Sequence, residues 1–210
     1  EKGEGVIKDY KQMMKWLIKA AENDLTHAQV TLFVIYYHGD KGVLKDYKEA
    51  VKWIAKAAEA DDTPFENFNT WAQAKLAGMY YRGQGVSKNY KKAEKWYRLA
   101  ANQGLIKAQF NLGLMYSEGK GVNQDYKEAV KWYLLSAKQG LADAQNNLGY
   151  MYDKGLGVPQ DDQEAVKWWR LAAEQGHDSA QNNLGVMYEY GIGVLQDYQE
   201  AVKWYRFAAE

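Results

Sequence analysis

The chain has 210 residues, 47% of them hydrophobic and 26% charged, the balance of a globular protein. Its 27 Lys and Arg match its 27 Asp and Glu, and this zero net charge argues against a dedicated nucleic-acid binder or a polybasic membrane anchor. It has no cysteine, which excludes disulfides, thiolate catalysis and Cys-ligated zinc.

One period organises the whole chain. Tryptophans in a Lys-Trp context stand at Trp16, Trp53, Trp96, Trp132, Trp168 and Trp204, with spacings of 37, 43, 36, 36 and 36. A Gly-Val pair keeps step at Val6, Val43, Val86, Val122, Val158 and Val194. An Ala-Gln pair does so at Ala28, Ala72, Ala108, Ala144 and Ala180. A fixed period of this size means stacked structural repeats.

In chain order, the sequence opens on a lone helix near Asp9 to Ala21, and five helical hairpins follow. Each first helix carries a stripe such as Leu112, Met115 and Tyr116, at i, i+3 and i+4. A glycine turn such as Gly119-Lys-Gly121-Val122 then breaks it. Asp125 with Glu128 has the pattern of an N-cap acid and its Glu three residues on. Asp46 with Glu49, Asp161 with Glu164, and Asp197 with Glu200 repeat that pattern, Asp9 with Gln12 varies it, and Asn89 with Lys92 keeps only the cap. The second helix buries Tyr126, Ala129, Val130, Tyr133 and Ala137 and ends at Gln139-Gly140; Gln103-Gly104 and Gln175-Gly176 do the same. No strand signal occurs. A hairpin of this size cannot bury both faces alone, so it must stack on its neighbours. Gly113, Gly149, Gly185 and Ala77, each after a stripe leucine, let helices approach closely. The repeat tryptophans, Trp132 among them, are expected in the core.

The blocks Asn111-Leu-Gly-Leu-Met-Tyr116, Gly119-Lys-Gly121-Val122, Gln124 to Tyr133 and Gln139-Gly140 resemble the Sel-one-like repeat family, a branch of the tetratricopeptide-like helical repeats. The units from Ala108, Ala144 and Ala180 match almost throughout, and that from Ala72 matches well. The unit from Ala28 is degenerate: Phe33 replaces the packing glycine, and Gly39-Asp-Lys-Gly42 holds one extra residue. The resemblance implies an all-α fold over residues 1–210, an α/α superhelical solenoid of about eleven helices. It also implies a non-catalytic scaffold or adaptor that holds a protein or peptide, with no cofactor. One branch of the family staples its repeats with disulfides, and this chain departs from it. Many relatives are bacterial and secreted or periplasmic, which favours those compartments over the cytoplasm. Glu1 in place of Met fits a removed signal peptide or a trimmed start.

By the same resemblance, five offsets from the stripe leucine face a concave groove. They are His27, Val30, Val34, Tyr37 and His38 in the first unit, and Trp71, Ala74, Gly78, Tyr81 and Arg82 in the second. In the third they are Lys107, Phe110, Leu114, Ser117 and Glu118, and in the fourth Asp143, Asn146, Tyr150, Asp153 and Lys154. In the fifth they are Ser179, Asn182, Val186, Glu189 and Tyr190. These positions differ between units while the markers stay fixed, which leaves them free to read a partner. Tyr and Arg are frequent interface anchors, and Asn146 and Asn182 could clamp a peptide backbone. The link between Trp53 and Trp96 is seven residues longer than the period. Its Phe65, Phe68 and Trp71 would either form a sticky loop or, the preferred reading, pack onto the degenerate first unit.

Other chemistry reads weakly. The Gly-x-Gly stretches each follow a helix, whereas a phosphate loop follows a strand. Gly176-His177-Asp178-Ser179 holds the letters of a hydrolase triad, but consecutive residues cannot form that spatial arrangement. Asp178 or Ser179 belongs in the first turn of a helix. His27 and His38 lie about 16 Å apart along one helix and cannot share a metal ion. The pairs Asp61-Asp62 and Asp161-Asp162 read as caps and solvated ends. Lys48, Lys52, Lys127 and Lys131 alternate with Glu49 and Glu128, a salt-laced surface. No apolar run approaches the ~18 residues of a membrane span. A bacterial immunity protein or inhibitor that blocks a toxin or enzyme is the alternative reading, and a cell-wall hydrolase a remote one. The lone helix at one end and the chain stop after another also allow end-to-end self-association.

Overall fold

The computed structural model describes residues 2–40, 42–60 and 68–210, with side chains from residue 9 onward. Eleven helices and no strand occur among the described residues. They are α1 (Lys2–Glu22), α2 (Thr26–His38), α3 (Tyr47–Glu59), α4 (Phe68–Arg82), α5 (Tyr90–Asn102), α6 (Ile106–Glu118), α7 (Tyr126–Lys138), α8 (Ala142–Lys154), α9 (Asp162–Ala173), α10 (Asp178–Tyr190) and α11 (Tyr198–Ala209). Two compact units divide them, Glu1–Leu105 and Ile106–Glu210. Within each unit a helix packs chiefly on its neighbours in sequence, as expected of stacked hairpins.

The second helices start where the caps place them. The Asp46, Asp125, Asp161 and Asp197 carboxylates each accept two backbone N–H bonds from the first turn, and Asn89 accepts one. The reciprocal half of the expected capping box does not form. Each cap residue's own N–H donates instead to a tyrosine carbonyl of the preceding first helix: Asp46 to Tyr36, Asp125 to Tyr116, Asp161 to Tyr152 and Asp197 to Tyr188. This frees Glu49, Glu128, Glu164 and Glu200 to pair with Lys52, Lys131, Lys167 and Lys203 one turn on. Helix α1 differs from expectation: it runs from Lys2 straight through Asp9, which is therefore not a cap.

The hairpins close on an aromatic residue that follows the repeat tryptophan. A Cβ added at Gly113 would lie 2.6 Å from Tyr133, and one at Gly149 or Gly185 would lie 2.7 Å from Trp169 or Tyr205. The glycine therefore gives its side-chain space to the ring on the partner helix. In the first hairpin the volumes are reversed: Phe33 and Ile54, at the corresponding positions, are both buried in one core cluster. The repeat tryptophans do something else. Trp168 lies in the core cluster of α7 and α8, and Trp204 in that of α9 and α10, so each reaches back to the preceding repeat. Trp53 is also buried, but Trp132 and Trp96 are half-buried and Trp16 is 60% exposed. The expectation of a uniform tryptophan core is corrected to that extent: Tyr133, not Trp132, is the fully buried anchor of its hairpin.

A second glycine serves the joint between repeats. A Cβ at Gly157 would run into the Tyr126 carbonyl oxygen, at the first residue of the preceding repeat's second helix. The turn reading of Gly-x-Gly thus has a steric cause. The buried Gln of each Ala-Gln marker ties the same joint with hydrogen bonds. Gln145 Nε2 donates to the Ala137 carbonyl of the preceding helix at 3.1 Å, and its Oε1 accepts from Gln175 at 2.7 Å. Gln73 and Gln109 accept likewise from Gln103 and Gln139.

Gly113→Ala should destabilise the protein by about 1–3 kcal/mol through overpacking against Tyr133. Gly113→Ala combined with Tyr133→Leu should recover part of that loss; denaturant unfolding of both variants checks it. Gln145→Leu should cost about 1–3 kcal/mol, because Gln175 and the Ala137 carbonyl lose their buried partner.

Candidate functional site

The five offset positions fall into distinct environments. At the first offset His27, Lys107, Asp143 and Ser179 are exposed, while Trp71 is half-buried. At the last, His38, Arg82, Glu118, Lys154 and Tyr190 are all exposed. The middle offsets turn partly inward. Val30 is 8% exposed and Gly78 is buried, so both belong to the core rather than to a binding face. Ala74, Phe110, Leu114, Val186, Tyr37, Tyr81, Ser117, Asp153 and Glu189 are half-buried. Val34 and Tyr150 stand out at 41% and 49% exposure. The two asparagines separate as well: Asn182 is exposed, whereas Asn146 has its Oδ1 buried without a partner and lends its backbone carbonyl to the Trp169 indole.

In the unit Glu1–Leu105 the face is aromatic and mutually packed. Tyr37 has ring contacts with Phe33, His38 and Tyr47. Phe68 meets His27 edge-on at 5.6 Å, and Trp71 meets Phe33 at the same separation. The described aromatics of the long link therefore patch the degenerate first repeat. Phe65 and the Asp61-Asp62 pair lie outside the described residues. Tyr81 packs on Tyr90, and the Arg82 guanidinium folds back over Gly78 and donates to Gln84. Burial pushes the Tyr97 phenol up to about 12, although the Arg82 charge pulls the other way.

In the unit Ile106–Glu210 a cleft of about 270 Å³ opens among α6, α7, α8 and the turn that follows α8. Leu114, Ser117 and Tyr150, three of the varying positions, line it together with Tyr126, Tyr133 and Asn147. Burial raises the Tyr133 phenol, while hydrogen bonds with Ser117 and Asn147 oppose the shift. Phe110 packs on the same ring at 5.9 Å. The cleft thus has an aromatic floor, hydroxyl and amide groups on its wall, and the half-exposed Tyr150 at its edge. Nearby charges are paired, Glu118 with Lys120 and Asp153 with Lys154, and Asp143 lies 3.4 Å from the His177 Nε2. Glu189 accepts the Tyr205 hydroxyl at 2.6 Å.

Other groups that might carry chemistry are occupied by structure. Asp161 caps α9, and Asp178 opens α10, whose N-cap is His177 through its ring nitrogen. Among the described residues no group of three or more His, Cys, Asp or Glu is placed to hold a metal ion, and no helix is long and apolar enough to cross a membrane. Sequence reasoning missed Tyr126 and Asn147 as cleft residues. Tyr126 was assigned to the buried face of its helix, and its position at the mouth of a turn carries no sequence signal.

The Sel1 repeat family model matches the chain six times, over residues 1–25, 26–62, 72–105, 106–141, 142–177 and 178–210. Among solved structures, a protective antigen of uropathogenic Escherichia coli with an SLR fold is 40% identical with a TM-score of 0.86. The match covers 94% of this chain and 41% of the antigen, so the chain spans less than half of that protein. A Sel1 repeat protein from Oxalobacter formigenes is 36% identical with a TM-score of 0.84, over 96% of this chain and 80% of the other. The immunity protein Pa5087 of Pseudomonas aeruginosa, 19% identical over 94% of this chain and 73% of its own, shares the fold with a TM-score of 0.52. No curated protein matches the chain.

The Tyr97 shift has a consequence at high pH. An unfolded tyrosine near 10 releases its proton before the folded one, so stability present below pH 10 is lost as pH rises toward about 12. Tyr97→Phe should flatten the fall in melting temperature over that interval, as followed by circular dichroism.

Proposed function

This chain belongs to the Sel1 repeat family, and from that premise we propose that it is a non-catalytic scaffold that binds a partner protein or peptide on its first-helix face. Function is argued here from a site, because the fold alone hosts many roles. The cleft in the unit Ile106–Glu210 carries the reading: three positions that vary between repeats meet there, on a wall that mixes an aromatic floor with hydroxyl and amide groups. That mixture suits a peptide, whose side chains need apolar contact and whose backbone needs donors and acceptors. Tyr150 and Arg82, exposed and of the residue types that anchor interfaces, are the expected hot spots.

The first-helix face is preferred over the second helices for a physical reason. The outer surface of α7, α9 and α11 is laced with Lys–Glu pairs one turn apart, which leaves it hydrated and of little use for discrimination. The immunity-protein reading rests on a neighbour that shares the fold at 19% identity, and no residue of this chain favours it over a general scaffold.

The test is capture of partners by the tagged chain from a native lysate, compared with a Tyr81→Ala/Arg82→Ala/Tyr150→Ala variant. The variant should lose the specifically captured proteins while it keeps its helical circular dichroism. A Lys131→Ala control on the outer face should retain them. Retention of every partner by the triple variant would refute the assignment to the first-helix face.

A further inference from the structure

A larger cleft, of about 920 Å³, lies away from these positions, between α1, the Tyr36 side of α2 and the turn at Gly42 and Val43. Two departures from the repeat pattern create it. In the later repeats the turn glycine seats against the first residue of the preceding second helix, as Gly85 does on the Tyr47 carbonyl. Gly42 is the counterpart of Gly85, and Tyr10 that of Tyr47. Here the turn carries one extra residue and Tyr10 sits inside a continuous helix, and a Cβ at Gly42 would meet nothing within 4 Å. The turn stands off the helix at Gly42, and Val43 beside it lines the cleft.

The floor of this cleft is apolar, made by Met14, Ile18 and Val43. Lys11, Lys15 and Lys19 follow one another at four-residue intervals along its lining, with Glu22 as the acidic residue of the lining among the described residues. None of the three lysines has an ion pair among the described residues, and Lys19 alone has a ring contact, over Trp16. The Asp40 carboxylate acts on Tyr10 and those of Asp46 and Glu49 on Tyr36; of these, Asp46 caps α3 and Glu49 pairs with Lys52, so Asp40 and Glu22 are the acids set against the three lysines. From Tyr10 to Glu22 the lining follows α1 for about 18 Å, or three helical turns. An open trough of that length, with an apolar floor and a row of unpaired cations, has the dimensions and charge for helix-in-groove recognition.

We propose that this cleft docks an acidic amphipathic α-helix of a partner protein. The apolar stripe of that helix rests on Met14, Ile18 and Val43, and carboxylates on its flank face Lys11, Lys15 and Lys19. The site is separate from the first-helix face.

Isothermal titration of the full chain with a synthetic three-turn helical peptide tests this. The peptide carries Leu at i, i+3, i+4 and i+7 with Glu on both flanks, and a second peptide replaces every Glu by Lys. The Glu peptide is expected to bind and the Lys peptide to fail. Lys11→Glu/Lys15→Glu, at two exposed positions, should weaken binding about tenfold or more without a change in melting temperature. Lys11→Gln/Lys15→Gln should give a smaller loss, which separates charge from misfolding. Absence of binding up to about 1 mM, equal binding of both peptides, or indifference to the Lys11→Glu/Lys15→Glu change overturns the proposal. So does a dimer of the chain that the Glu peptide cannot displace, or saturation by laurate in place of the peptide, since the occupant would then be a second copy or an anionic lipid.

Discussion

Tyr133, Trp169 and Tyr205 each press a ring into the place where the first helix of their hairpin has no side chain. The other features of the repeat depend on that contact. It sets one ring of the second helix directly against the backbone of the first, and so fixes the register of two helices of thirteen residues or fewer. The register sets where the cap amide meets the tyrosine carbonyl of the first helix, and hence where the second helix begins. Cores pack to nearly crystalline density, so a ring and its recess must match in size. The first hairpin reaches the same end by the reverse choice, Phe33 on one side and Ile54 on the other. The constraint is thus on summed volume and not on either residue alone.

Polar groups hold the stack together where apolar groups could only fill it. Gln145 and Gln73 each have their amide hydrogen on the helix behind and their amide oxygen on the glutamine that follows the second helix of their own hairpin, whereas Gln29 and Gln181 make only the first of these bonds. A leucine there would occupy similar space but leave a carbonyl and an amide without partners. The glutamines therefore specify how far one hairpin sits from the next, while the tryptophans supply the contact area.

Period, helix count, turn positions and the N-caps of the later second helices were legible in the sequence, because each is written in local chemistry: Asp at a helix start, Gly where φ is positive, apolar residues one turn apart; the cap expected at Asp9 was not. The resemblance to a known repeat supplied what local chemistry could not, the solenoid class. What sequence reasoning could not resolve was rotation of each first helix about its own axis. Val30 and Asn182 share one offset, yet the first is buried and the second exposed. The tryptophans misled for a related reason. Their recurrence marked the repeat correctly, but their burial is not uniform: Trp16 is 60% exposed while Trp53 is enclosed. The cleft beside α1 was likewise hidden, since one extra turn residue reads as degeneracy and not as a site.

The seat that Gly157 makes on Tyr126 is repeated by Gly193 on Asp162 and by Gly85 on Tyr47. At these three seams the fitting is the same, so a duplication or crossover that inserts or deletes 36 codons among them leaves the remaining ones intact. Such a gene can lengthen or shorten its product by whole hairpins with no intermediate of impaired folding, and each added hairpin brings five new side chains to vary. Selection can then tune the reach of the protein and its discrimination as independent traits.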